Sequence, residues 1–102
     1  MSDEQVLRGL PGATLVERGL ADAHRGVWSA EALLLAVAPS RLRGLGIDVP
    51  EPLPADPELA LYTRLQHDGV EDPYARYNAL LRQLDSFLEA LTARRRREAR
   101  RT

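Results

Sequence analysis

From Tyr74 to Leu91 apolar residues return every three or four positions: Tyr74, Tyr77, Leu80, Leu81, Leu84, Phe87, Leu88 and Leu91. Wound at 100° per residue, all eight fall within an arc of about 140°, and Asn78, Arg82, Asp85, Ser86 and Glu89 take the other side. The pattern predicts a long amphipathic helix. Asp72 is its expected N-cap, and Pro73 follows at N1, where a missing N–H costs nothing. Six of the eight residues (Tyr74, Tyr77, Leu81, Leu84, Leu88 and Leu91) keep the 3,4 spacing of a heptad seam, which marks them as a candidate partner interface. Where the seam next calls for apolar residues it meets Arg95 and Glu98, so the packing stripe is expected to stop at Leu91.

The rest of the chain reads as shorter helices. Ser2 and Gln5 have capping-box spacing before Val6 and Leu7, and Pro11-Gly12 ends that turn. Thr14 and Glu17 form a second expected capping box, with Leu15, Val16, Leu20 and Ala23 on one face and Gly26 at C′. Gly19 inside this helix costs it about 1 kcal/mol against Ala. Ser29 is the next expected N-cap, with Trp28 and Leu33 at the hydrophobic-staple positions of a helix over residues 30–38. Its consecutive Leu33, Leu34 and Leu35 point round much of the circumference, so the helix is expected to be buried. Pro39 interrupts it, and a short turn holding Leu42 ends at Gly44 and Gly46.

Residues 47–56 alternate Pro50, Pro52 and Pro54, which favours stiff, extended backbone between the two halves. Asp56-Pro57 repeats the N-cap and N1 signal of Asp72-Pro73 and opens a helix to about Asp68, closed by Gly69. The organisation predicted is one domain: short helices over 1–46, a Pro-rich connection over 47–56, a helical hairpin over 57–93 and an Arg-rich tail over 94–102. The C-terminal helix is its expected spine.

Composition supports this. Eighteen Leu stand against six Val and one Ile, which favours helix over strand. The predicted fold is an all-α bundle of four to five helices. With 102 residues the core is modest, so a second subunit could add to stability. There is no cysteine, which removes disulfides and thiolate chemistry. The acidic start, MSDEQVLRGL, lacks the apolar run of a secretory signal. The longest apolar run, Ala32 to Ala38, is far too short to span a bilayer. A cytoplasmic location and no membrane partner are expected by default.

Charge changes the picture at one end. Residues 1–93 carry a net −6, and residues 94–102 carry +5. The tail's Arg94, Arg95, Arg96, Arg97, Arg100 and Arg101 are candidates for polyanion binding. All fourteen basic residues of the chain are arginine, so the choice of Arg over Lys in the tail carries no information. On an ideal helix the six point in most directions. Like charges at i,i+4 oppose the helix by a few tenths of a kcal/mol per pair, and the macrodipole favours cations at this end by about as much. The tail is expected to fray, projecting about 16 Å if helical. Read as functional, it contacts phosphates with steep salt dependence. Read as structural, it is a solvated helix end. No aromatic residue interleaves with the arginines to stack bases.

No catalytic, cofactor or metal site is predicted. His24 and His67 lack partners at ligand spacing. Asp68, Glu71 and Asp72 lack EF-hand spacing, and Asp72 is needed as a cap. Gly44-Leu45-Gly46 lacks the strand and third glycine of a dinucleotide loop. Pro50 to Pro57 reads as a spacer before it reads as a ligand for an aromatic groove. The expected function is a non-enzymatic interaction or self-association module, most simply a homodimer or a partner of another helical protein. A nucleic-acid accessory role through the tail is the alternative.

Overall fold

Five helices occupy the described residues, 7–101, of the computed structural model, with no strand among them. They are α1 (Ala13–His24), α2 (Ala30–Val37), α3 (Pro39–Gly44), α4 (Pro57–His67) and α5 (Pro73–Arg101). The fold is a small all-α bundle. The expected capping box at Ser2 and Gln5 lies outside the described residues.

The hub is α2, not the C-terminal helix expected as the spine. This eight-residue helix packs against α1, α3, α4 and α5. Ala32, Leu33, Leu34, Leu35 and Ala36 are all buried. An isolated helix of this length is marginal in water. Burial of each leucine, about 1.5–3 kcal/mol as an upper figure, supplies what local propensity does not. Its start follows the sequence: the Ser29 hydroxyl accepts from the Ala32 N–H at 3.2 Å and donates to the Asp22 carboxylate at 2.7 Å. One side chain therefore caps α2 and ties it to α1. Asp22 also pairs with Arg25.

Gly19 explains how α1 reaches α2. A Cβ there would stand 2.6 Å from the Glu31 carbonyl oxygen and 2.9 Å from Leu35 Cδ1. The glycine lowers helix propensity but lets the α1 backbone lie against both the backbone at Glu31 and the Leu35 side chain of α2. The start of α1 differs from the expected capping box. Gly12, at φ 76°, is the N-cap and no side chain caps the helix; Thr14 lies inside the first turn. The same glycine lets α1 approach α5, since a Cβ on it would lie 3.1 Å from the Gln83 carbonyl oxygen.

Three helices end in one way. Val27 donates to the Asp22 carbonyl, Ile47 to Leu42 and Val70 to Leu65, each one residue past a glycine of positive φ. This is the Schellman closure, in which the left-handed glycine satisfies otherwise orphaned carbonyls. At the second and third ends the following apolar residue turns back onto the core.

The 47–56 connection is less of a spacer than its prolines suggest. Ile47 and Val49 are buried, with the exposed Asp48 between them. The Val49 N–H donates to the Ile47 carbonyl at 3.1 Å, a γ-turn about Asp48 that leaves both apolar residues facing inward. Arg43 holds the strap in place, donating from Nε and a terminal nitrogen to the Val49 carbonyl at 3.2 and 2.8 Å. The chain then bends at residues 51–52 and 55–56, with a cis peptide at Glu51–Pro52.

The long axis of the molecule, 47 Å, is set by α5, whose 29 residues run about 43 Å. Its buried line is Leu80, Leu84, Phe87, Leu88 and Leu91. Leu80 and Phe87 lie off the heptad seam yet are buried more deeply than Tyr74, Tyr77 and Leu81 on it. The stripe is a broad face for several short helices, not a two-helix seam.

Candidate functional site

Of the six candidate interface residues, Leu84, Leu88 and Leu91 are buried among α5's own neighbours. They correct the sequence expectation, being covered within the chain and unavailable to a partner. Tyr77 and Leu81 are half-buried at the margin of the core. Tyr74 is 66% exposed.

A residue the periodicity of α5 could not reveal stands beside Tyr74. Leu59 on α4 is 63% exposed. Leu61 and Leu65 carry the buried face of α4, and Leu59, two residues before Leu61, points about 200° away from it. That offset was readable in the sequence. Leu59 and Tyr74 line one shallow hollow of about 300 Å³ together with Glu58, Tyr62 and Tyr77. The Tyr62 and Tyr77 rings meet edge to face, centroids 6.1 Å apart at 83°, a favoured arrangement of aromatic quadrupoles. Burial raises the Tyr77 phenol above its ordinary value, and the adjacent Glu58 carboxylate pushes it the same way.

The edge of this surface is acidic. Asp56 was expected to cap α4 as Asp72 caps α5, but the two differ. Asp72 accepts from the Ala75 N–H at 3.1 Å. Asp56 sits at φ 44°, ψ 63° and makes no side-chain cap bond. Asp56 instead borders a groove of about 520 Å³ that Leu33, Leu59, Thr63 and His67 also line. Asp68 pairs with Arg64 at 3.1 Å. Glu71 and Asp72 are exposed just before Tyr74.

The six tail arginines do not act alike. Arg94 donates to the Arg8 carbonyl at 3.3 Å. Arg95 donates to the Leu45 carbonyl at the end of α3, at 3.2 Å, and pairs with Glu98 at 3.1 Å. A cation is favoured at an open helix C-terminus, and the donor satisfies a carbonyl left over there. Docking therefore continues past Leu91 by a full turn, carried by polar contacts in place of apolar ones, and the expected fraying gives way to a helix that runs to Arg101. Arg96, Arg97 and Arg100 are exposed. On the helix they share an arc of about 100° opposite the line of Leu84, Phe87 and Leu91. The Arg101 side chain lies outside the described residues.

The remaining sequence candidates have local partners or stand in solvent. His24 Nε2 lies 3.1 Å from the Asp48 carbonyl oxygen. His67 is exposed beside Asp68. Gly44-Leu45-Gly46 is the closure of α3. Among the described residues no three His, Cys, Asp or Glu side chains gather at metal-binding distance, and no helix is long and apolar enough to cross a membrane. No family model, curated protein or solved structure matches the chain.

Proposed function

We propose that this protein is a non-enzymatic interaction module that self-associates through the Leu59–Tyr62–Tyr74–Tyr77 surface. One observation carries the reading. The two most exposed large apolar side chains among the described residues, Leu59 and Tyr74, lie on different helices yet border one hollow. Scattered apolar residues are ordinary on a protein surface, but adjacent ones around a concavity mark a contact site. Tyrosine suits such a site, burying much area with few rotamers to freeze.

The test is molar mass against concentration. The chain should exceed its monomer mass of 11.3 kDa in the tens to hundreds of micromolar. The L59S/Y74S variant should remain monomeric with an unchanged helical signal. A wild-type chain that stays monomeric throughout that range removes the reading.

The nucleic-acid alternative has less support. Two of the six candidate arginines already bond carbonyls of their own chain, so fewer cations are left for phosphates.

A further inference from the structure

We propose that self-association runs head to tail, the Arg96–Arg97–Arg100 face of one copy docking on the acidic-edged Leu59–Tyr74 surface of the next. This rests on the self-association reading above and adds which surface faces which. The two surfaces are complementary in charge. Glu58 lines the hollow and Asp56 borders the adjoining groove, and residues 56–77, from which the surface is built, hold five carboxylates and two arginines, a net −3. One of those arginines, Arg64, is paired with Asp68. Residues 94–102 carry +5.

They are also complementary in chemistry. A guanidinium forks onto a carboxylate and stacks on a phenol ring. Glu58, Tyr74 and Tyr77 offer both within one hollow. The arginine stems and the exposed Ala93, one turn before Arg96, supply apolar cover for Leu59.

Geometry makes the contact intermolecular. Tyr74 and Arg97 lie on one unbroken helix, about 35 Å apart along its axis. No chain can bring its own tail to its own patch. The tail face is held in position, because Arg94 and Arg95 bond inward while Arg96, Arg97 and Arg100 are exposed. A contact between two different surfaces repeats from copy to copy, so growth does not end at a dimer unless the rotation closes a ring.

Sedimentation velocity of the full chain tests this with two variants, R96E/R97E/R100E and L59S/Y74S. Wild-type average mass should rise past the dimer with concentration, and association should weaken at least tenfold between 50 and 500 mM NaCl. Each variant alone should be monomeric. Mixed in equal amounts they should form a one-to-one dimer and grow no further, since one retains the patch and the other the tail. Adding Glu58→Arg to the tail variant should restore part of its association, while circular dichroism shows both variants helical.

If R96E/R97E/R100E associates like wild type while L59S/Y74S does not, patch meets patch. The head-to-tail proposal then falls and self-association stands. If wild type is monomeric throughout, both fall. The proposal also falls if the tail arginines are required only for binding a labelled DNA or RNA oligonucleotide and not for association.

Discussion

Helices α2 and α5 reach the same end by opposite routes. The first has eight residues, three adjacent leucines and no fully exposed residue. The second has 29 residues and a clear division between buried and wet faces. Length and pattern prescribe α5 locally. Burial prescribes α2, which packs against all four other helices. A short helix at the centre is therefore more sensitive to its surroundings than a long one at the edge.

Five substitutions would break or sharpen that contrast. The largest effect is expected at Leu34, fully buried in α2. Leu34→Ala should cost about 2–5 kcal/mol in urea unfolding, and Leu81→Ala at the half-buried margin of α5 less than half as much. Equal losses would mean that α2 is no hub. Next comes Gly19→Ala, which improves helix propensity yet forces a Cβ to 2.6 Å from the Glu31 oxygen. Overpacking of this kind costs about 1–3 kcal/mol; a stabilised variant would show that α1 and α2 do not approach this closely.

Ser29→Ala removes the cap of α2 and should lower stability by about 1 kcal/mol. It also tests a pH effect. The hydrogen bond from Ser29 holds the Asp22 carboxyl below its ordinary value, with Arg25 adding to it against the opposing effect of burial. A depressed carboxyl stabilises the fold above its unfolded value, and that contribution is lost as pH falls through the lower, folded one. Acid melts below about pH 4 should thus be steeper for wild type than for Ser29→Ala. Parallel curves would separate Asp22 from Ser29. The smallest effect belongs to α5: Arg95→Met, at a partly exposed side chain, should cost about 0.5 kcal/mol, less at high salt. Amide exchange should show the loss in the last turns of α5 and at the end of α3.

Much of this fold was legible because its signals are local. The Ser29 cap, the Asp72 cap and the glycines at 26, 46 and 69 read correctly, since a cap needs only neighbouring residues. Local signals also failed at the Thr14 capping box and at Asp56, and the other failures involve distant partners. Asp56-Pro57 and Asp72-Pro73 look equivalent as dipeptides, but only Asp72 turns its carboxylate over its helix. Ile47 and Val49 read as linker until Leu42, Arg43 and the bundle behind them gave them a place. Of the six seam residues proposed as an interface only Tyr74 stays fully outside, and Leu59, its neighbour from another helix, had no marker in α5's periodicity.

The sequence by itself determined that the chain is helical, where most of its helices begin and end, and that an acidic body carries a basic tail. Those properties follow from residue type and spacing along the backbone. Tertiary structure decided which apolar stripe is consumed inside the chain, which arginines bond their own carbonyls and which three face outward. Such choices depend on what lies a few ångströms away in space, and residues 50 or 86 positions apart meet here only once the helices have packed.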